Sequence, residues 1–531
     1  MASFRLLAEV SLVALCAACT TSQYTPGSEL PPPPKEIDAE VSVDANTVLS
    51  TVAAEGFGLH SSVYDNSLQD PTLPGLLDAV GVSILRYPGG GYSDNYHWST
   101  HKLVPSYGDP SQLGYLAAGS DFGSYVSLLD SFKGTAMITV DYGSNPAANG
   151  PGEPKEAAAW VAYANGSPDD SSVIGLDSVG TDWHTVGYWA GLRAAAALPV
   201  DDGQNFLRIA HPAPVGIKYW EVGNELFGNG YYDSAHEYEE DLHAPYDGTP
   251  REHDARLSPS TYGAGVNAFI QAMKAVDPSI QVGAVLNTPP LDYSWGPDWD
   301  QDVLAACGTN IDFAIIHWYP SSTAAGLMQA AEREVPNMFA ALSSLFAAVG
   351  PRATPIQVAI TEMGPAPGIQ ISNQQGQMLG VFVTEGYLSM FEHGVFNVDF
   401  LELHKGGFLS SPGERKGPAY KAIQMVHELA NPGDVLVSTT SSAPDIAVHA
   451  ATRADGSLGV MLVNTSATAN VTVTATLDGD VRFSSVKRFD YTPSSGAADG
   501  SVQGPTDASG LASPFTIRVP LYSTTLLEFE K

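Results

Sequence analysis

The sequence predicts an α/β protein: a (β/α)8 TIM barrel followed by a C-terminal antiparallel β-sandwich. Three observations predict it. Up to about residue 430, eight short apolar runs alternate with helical patterns, as in a parallel sheet covered by helices. Beyond residue 431 the helical patterns stop, and short strand-like runs follow with turn residues between them. The length, 531 residues, exceeds what one hydrophobic core ordinarily serves.

Residues 1–19 read as a targeting segment of lipoprotein type. Arg5 opens it, and the mostly apolar stretch 6–18 is too short to span a bilayer. Ala17-Ala18-Cys19 is similar to a bacterial lipoprotein cleavage site, with Cys19 as the lipidated N-terminus. Glu9 interrupts the apolar stretch, and Cys16 stands where that pattern prefers Leu. Ordinary secretion is the alternative. In both readings the chain is exported, to the cell envelope or beyond it, and meets a membrane only through Cys19. Residues 20–36 carry the run Pro31-Pro32-Pro33-Pro34 and read as an extended tether.

The catalytic barrel is assigned to 37–430. Its strands are predicted at 56–61, 83–87, 136–141, 218–222, 281–286, 313–318, 357–361 and 398–403, where apolar runs fit strands buried on both faces. Helical periodicity covers 121–132, 153–164, 185–197, 259–276, 324–348, 374–392 and 419–430. The sandwich is assigned to 431–531, with strands at 435–439, 446–451, 458–464, 471–475, 481–489 and 524–529. A short strand at 40–43 precedes the barrel and could pair back onto the sandwich. The sandwich should pack on the side of the barrel and be structural, because its strands carry no paired carboxylates.

Composition narrows the partners. With 24 basic and 58 acidic residues the net charge is -34, so nucleic acid and anionic membrane surfaces are repelled. A neutral sugar polymer is indifferent to that charge. Past the targeting segment only Cys307 remains, among apolar helical neighbours, so no internal disulfide or Cys metal cluster is expected in the mature chain. The histidines at 97, 101, 184, 211, 236, 243 and 253 lack zinc-site spacing. Gly89-Gly90-Gly91 lacks the Lys-Ser/Thr pair of a phosphate loop. No cofactor and no metal are expected. The acidic loop 233–241 reads as a solvated face, with calcium binding as the alternative.

The chemistry gathers at the carboxyl ends of the strands. The fourth run, Tyr219-Trp220-Glu221-Val222, ends in Gly223-Asn224-Glu225, and the seventh, Val358-Ala359-Ile360-Thr361, ends in Glu362. A carboxylate at the tip of a buried strand has no packing role, and two of them are what glycosidic bond cleavage needs. Arg86 ends the second strand, His317-Trp318-Tyr319 the sixth, and Glu402-Leu403-His404 the eighth.

On these stretches the chain resembles the clan-A retaining (β/α)8 glycoside hydrolases. The likeness is strongest to the family 51 α-L-arabinofuranosidases, through Arg86-Tyr87-Pro88-Gly89-Gly90, Tyr96-His97-Trp98, Glu156-Ala157-Ala158-Ala159-Trp160-Val161-Ala162-Tyr163, Tyr219–Glu225 and Asp277-Pro278-Ser279-Ile280. It implies that Glu225 is the general acid/base, Glu362 the nucleophile, and Asn224 the partner of the sugar 2-hydroxyl. It further implies that Arg86 and Tyr319 hydrogen-bond Glu362 and hold it ionised, and that His317 shapes the site between the carboxylates. His60, Trp98 and His404 join the implied substrate-binding set. The expected activity is that of an exo-acting retaining glycosidase releasing arabinose from hemicellulose or pectin side chains. Other readings are another clan-A enzyme (xylosidase, glucuronidase or endoglucanase) and a catalytically silent carbohydrate-binding lipoprotein.

Three departures bear on the sugar. Gly91 stands where the family carries Asn. No Glu follows the first strand, in Gly58-Leu59-His60-Ser61-Ser62-Val63-Tyr64-Asp65, so His60 or Asp65 is the candidate substitute. Met363-Gly364 follows Glu362 where the family often has Trp. Tyr231, Tyr232, Trp295 and Trp299 are expected as subsite walls, because aromatic rings pack on the apolar faces of sugars; Trp318 fits the core as well.

Overall fold

The computed structural model describes residues 34–290, 296–320, 324–366, 376–410, 415–478, 483–494 and 497–531. The targeting segment with Cys19, most of the tether, and Trp295 lie outside the described residues. Lys35 and Glu36, read as the end of the tether, already belong to a strand.

Eight parallel strands close a barrel: Phe57–His60, Ile84–Tyr87, Thr135–Val140, Tyr219–Val222, Gln281–Val285, Phe313–Trp318, Gln357–Met363 and Asn397–Phe400. The eighth pairs back onto the first, with Val398 opposite Phe57. Each overlaps a predicted run. The seventh continues past 361 because a register shift after Ile360 keeps Glu362 in the ladder, opposite His317. The eighth stops at Phe400, short of 403.

The helices begin where the sequence places caps. Asp121, Thr185 and Ser258 each accept a hydrogen bond from the backbone N–H three residues on. Proline sits in the first turn of Pro154–Asn165, Pro259–Val276 and Pro418–Leu429, where its missing N–H costs nothing. The single helix predicted over 324–348 is two, Ala324–Leu327 and Ala330–Val349. The short helix Leu73–Asp78 went unpredicted, being too short for a clear period, while Trp299–Cys307 contains the helical neighbours expected of Cys307.

The barrel interior is layered. At its lower end Tyr219, Phe313 and Phe396 pack ring on ring, with centroids 5.1 to 6.3 Å apart. Gly283 makes this possible, because a Cβ there would lie 2.3 Å from the Phe313 ring. Above that floor the side chains turn polar, with Arg86, Thr139, Glu221 and Asp399 all fully buried. This layer carries the site.

The second domain is a nine-stranded sheet in the order Ala497–Asp507, Ser485–Ser494, Ser523–Glu530, Leu458–Asn464, Ile446–Thr452, Val435–Ser441, Lys35–Thr51, Ala469–Asp478, Phe515–Val519. Two of these, Ala497–Asp507 and Phe515–Val519, were not predicted. The N-terminal strand is far longer than 40–43 and lies inside the sheet. It runs antiparallel to Val435–Ser441 but parallel to Ala469–Asp478, so the domain is not wholly antiparallel. One face of the sheet joins the barrel core through Leu436, Met461, Tyr491 and Leu526. A separate core around Val43, Val460, Val473 and Leu527 holds the sheet together. The helix Gly376–Glu392 is buried on nearly every side because barrel and sheet both cover it. Among the described residues, no helix is long and apolar enough to cross a membrane.

Candidate active site

Glu225 leaves the fourth strand through a tight turn. Gly223 takes φ +73°, where a side chain would be strained and a Cβ would lie 2.4 Å from Leu226. The turn is held from beneath by Asp94, whose carboxyl accepts from the backbone N–H groups of Tyr142, Gly143 and Asn224 at 2.9, 3.0 and 2.7 Å. Glu362 arrives on the seventh strand, His317 on the sixth, and Tyr319 just beyond it.

These elements bring the two carboxyl groups face to face. One oxygen of Glu225, one of Glu362 and a ring nitrogen of His317 all lie within 4.8 Å of one another. His317 Nδ1 is 2.7 Å from Glu225 Oε1 and 3.7 Å from Glu362 Oε2. Its Nε2 is 3.1 Å from the Thr361 hydroxyl, which fixes the ring. Both oxygens of Glu362 are claimed by donors: Arg86 Nη1 at 2.7 Å and the Tyr319 hydroxyl at 2.5 Å. Arg86 also donates from Nε to Glu221 at 2.6 Å and from Nη2 to Asn224 Oδ1 at 2.9 Å. One guanidinium therefore orients Glu362 and the amide of Asn224 together.

The electrostatics follow. Burial pushes the Glu362 carboxyl up, but His317, Arg86, His60 and the Tyr319 hydrogen bond outweigh it, and its pKa lies well below the usual carboxylate range. His317 is raised: burial opposes its charge, and Glu362 and the bond to Glu225 prevail. His60 goes the other way. Burial pushes it down to about 3 despite Glu362, so it is a neutral imidazole.

The implied residues do not all gather here. His60 does, with Nδ1 3.1 Å from Arg86 Nη1 and 3.8 Å from Glu362. Asp65 is instead paired with His404, and that pair joins the loops after the first and eighth strands. Trp98 is core rather than substrate wall. It is 1% exposed and stacks on Trp160 at 5.5 Å, within a cluster that includes Phe122 and Trp189. Trp299 is likewise buried, its indole N–H bonded to the Val285 carbonyl, and is no subsite wall. Trp318 is buried against Phe382. Tyr231 and Tyr232 remain half-buried, edge to face with each other.

The acidic loop is not a solvated face. Glu239, Glu240 and Asp241 are buried, and each finds its own partner: Asn224 Nδ2, the Tyr107 N–H, and Asn229 Nδ2. Asp233 bonds its neighbour His236, and Glu237 pairs with Arg251. These carboxylates face separate protein groups rather than a common point. Sequence reasoning also missed Asp94, Glu221, Tyr238 and Glu239. For Glu221 a signal existed: a charge inside an apolar strand demands a buried partner. Tyr238, which lies beside Glu225, and Glu239 reach the site from a loop with no periodicity to read.

No family model matches the chain. Curated relatives match part of it. The intracellular exo-α-(1→5)-L-arabinofuranosidase of Bifidobacterium longum is 23% identical over 266 residues, 49% of this chain and 36% of that protein. The α-L-arabinofuranosidase C of Emericella nidulans is 23% identical over 275 residues, 49% of this chain and 42% of that one. The matches thus span less than half the length of these relatives. Among solved structures, the α-L-arabinofuranosidase of Thermotoga maritima in its arabinose complex superposes with a TM-score of 0.67 at 17% identity, over 93% of this chain and 100% of that one. A family 44 xyloglucanase of Paenibacillus polymyxa superposes at 0.59 and 13%, over 94% and 100%. The barrel and the sheet domain together are a shared fold. In sequence and in fold, the chain resembles clan-A glycoside hydrolases, with α-L-arabinofuranosidases among its relatives.

Proposed function

We propose that this chain is a retaining, exo-acting glycosidase, read as an α-L-arabinofuranosidase acting on hemicellulose or pectin side chains. The observation that carries the proposal is the approach of Glu225 and Glu362, with facing atoms within 4.8 Å. Retention needs carboxyl groups roughly 5–5.5 Å apart, whereas inversion needs roughly 6.5–9.5 Å to admit a water between them.

In this reading Glu362 attacks the anomeric carbon as a carboxylate. The bond to the leaving oxygen breaks, and Glu225 gives that oxygen its proton. The covalent ester no longer carries the charge of Glu362. Glu225, now a carboxylate, takes a proton from water, and the water oxygen attacks the same carbon. Glu362 departs as the carboxylate it began as. Asn224 presents its Nδ2 to the sugar 2-hydroxyl, because Arg86 occupies its Oδ1. His317 and Tyr319 steady the pair.

The sugar is the less constrained part. The loop after the first strand carries no Glu, and its Asp65 is paired with His404. Ser62 and Tyr64 instead hydrogen-bond Glu402, from the loop after the eighth strand, at 2.9 and 3.1 Å. This arrangement favours, as a second reading, another clan-A glycosidase such as a xylosidase, a glucuronidase or an endoglucanase. A panel of 4-nitrophenyl glycosides separates the two. Cleavage of the α-L-arabinofuranoside above the others is expected. Preference for a xyloside or glucuronide, or activity only on polymer, would select the second reading, and no cleavage of any substrate would leave neither.

A further inference from the structure

Asn224 is gripped from three sides. Its backbone N–H donates to Asp94 at 2.7 Å, its Oδ1 accepts from Arg86 Nη2 at 2.9 Å, and its Nδ2 donates to Glu239 Oε2 at 2.9 Å. Arg86 also serves Glu221 and Glu362, and Asp94 also holds the turn at Tyr142 and Gly143. The Glu239 carboxyl has no such second duty. Its other oxygen, Oε1, is buried and has no hydrogen-bond partner among the described residues.

A carboxyl group buried for one amide hydrogen bond is costly. Glu239 is 1% exposed, and an apolar side chain would fill its space without leaving an oxygen unpaired. Its surroundings are nevertheless shaped to admit it. The position of the absent Cβ of Gly91 is 3.2 Å from Glu239 Oε1 and 3.5 Å from Oε2, so a side chain there would press on the carboxyl. The Tyr238 and Glu239 N–H groups both donate to the Gly228 carbonyl, at 3.0 and 3.1 Å, which ties the loop to the turn Leu226–Gly228 that follows Glu225. Burial, with the charges of Asp94, Glu225 and Glu362, holds the Glu239 carboxyl well above the usual range. In its neutral form it does not repel the catalytic pair.

A primary amide carries two hydrogens on its nitrogen, both in the amide plane. With Arg86 on Oδ1 and Glu239 on one of those hydrogens, the amide cannot swing, and the other hydrogen keeps one heading. Without Glu239 the Asn224 amide is held by Arg86 alone and can turn about that contact. We propose that Glu239 is a positioning residue, which acts on the reaction by fixing the Asn224 amide toward the sugar 2-hydroxyl. The inference rests on the glycosidase reading above. Hydrogen bonds to that hydroxyl strengthen in the transition state, so the heading of the amide affects the rate.

The test uses variants of the full chain. Glu239→Met removes the acceptor and keeps the bulk. Glu239→Gln keeps an acceptor for Asn224 in its carbonyl oxygen. Gly91→Val, at an exposed position, presses on the carboxyl without removing it. For each, kcat/KM is measured on the 4-nitrophenyl glycoside the wild type cleaves and on its 2-deoxy analogue. On the parent glycoside Glu239→Met should lose about tenfold, the worth of one good hydrogen bond, and Gly91→Val should also lose. On the 2-deoxy glycoside, which has no hydroxyl for Asn224 to meet, neither variant should lose more than about twofold. Glu239→Gln should recover most of the rate on the parent. Equal losses on the two glycosides in Glu239→Met, or in Gly91→Val if the former does not fold, make Glu239 merely structural and overturn the proposal; so does an undiminished rate on the parent. NMR of protein carrying isotope-labelled asparagine reads the same contact without a substrate. The Asn224 side-chain amide signal, identified by its loss in Asn224→Ala, should move and exchange faster with water in Glu239→Met and Gly91→Val, and less so in Glu239→Gln. A signal that neither moves nor exchanges faster overturns the proposal whatever the kinetics. If the signal responds but the wild type cleaves no glycoside, the hold of Glu239 on Asn224 stands and the glycosidase reading falls.

Discussion

Arg86 Nη1 donates a 2.7 Å hydrogen bond to Glu362 Oε1 across 276 positions of sequence. Arg86 is wholly buried and also pairs with Glu221. Glu221 has this one cation as its ion-pair partner, and Glu362 shares it with His317, so its removal has consequences for charge and for stability.

Arg86→Met should lower kcat/KM at least 100-fold and move the acidic limb of the pH–rate profile upward. The sign follows from the pair. Arg86 helps to depress the Glu362 pKa, so without it Glu362 is protonated at higher pH and the active range shrinks from the acid side. The variant should also lose about 3–5 kcal/mol of stability, because one buried carboxylate or both are left uncompensated. Arg86→Lys should recover part of the stability and little of the rate, since an ammonium cannot reach Glu221, Glu362 and Asn224 together. Thermal unfolding and pH–rate profiles of the two variants check this; an unmoved acidic limb in Arg86→Met would contradict it.

The two catalytic glutamates should fail differently. Glu362→Ala abolishes turnover, and added azide yields product of inverted configuration. Glu225→Ala still glycosylates itself from substrates with activated leaving groups, which need little protonation. Its covalent intermediate then accumulates, and azide restores turnover with retention. NMR of the azide products reads the configuration directly. Exchanged behaviours would reverse the assignment, and undiminished activity in both would discard it.

A third expectation concerns the seam between the domains. His449, on the sheet strand Ile446–Thr452, lies 2.7 Å from Glu392 and 3.2 Å from Glu385 on the buried helix Gly376–Glu392. Burial opposes its charge, but the two carboxylates raise its pKa to about 10 from an ordinary 6.5. A raised folded-state pKa gives stability that is fully present below 6.5 and lost as pH rises through about 10. The melting temperature should therefore decline between neutral pH and pH 10, and His449→Gln should flatten that slope while lowering stability at neutral pH. Equal slopes in wild type and variant would show that the seam does not titrate.

At the N-terminus, Cys19 should carry lipid and hold the chain at a membrane. The motif Ala17-Ala18-Cys19 followed by a Pro-rich tether motivates this expectation. Mass spectrometry of the mature protein expressed in a bacterium decides it: an N-terminus elsewhere, with no acyl group, rules it out.

Much of the barrel was legible because its strands are buried on both faces. Such strands read as continuous apolar runs, and a Glu or Arg at the end of one stands out. Arg86, Glu225, His317 and Glu362 stand out for that reason. The aromatic residues were less legible. Trp98 and Trp299 have the same composition as a sugar-stacking wall, and only their burial against Trp160 and Tyr262 places them in the core. The acidic loop misled for the same reason, since a charge run says nothing of whether each charge finds a partner.

The sequence by itself determined the strand–helix alternation, the carboxylates at two strand tips and the change to a β domain after residue 430. These depend on local patterns of burial and turn chemistry, which neighbouring residues write together. Tertiary structure alone decided the distance between Glu225 and Glu362, the choice of Arg86 as their common organiser through Glu362 and Asn224, and the insertion of Lys35–Thr51 within the C-terminal sheet. It alone brought Asp94, Tyr238 and Glu239 beneath and beside the site. Those relationships join residues from loops and strands far apart in the chain. They arise from barrel closure and from the demand that each buried charge meet a partner, neither of which leaves a periodic trace in sequence.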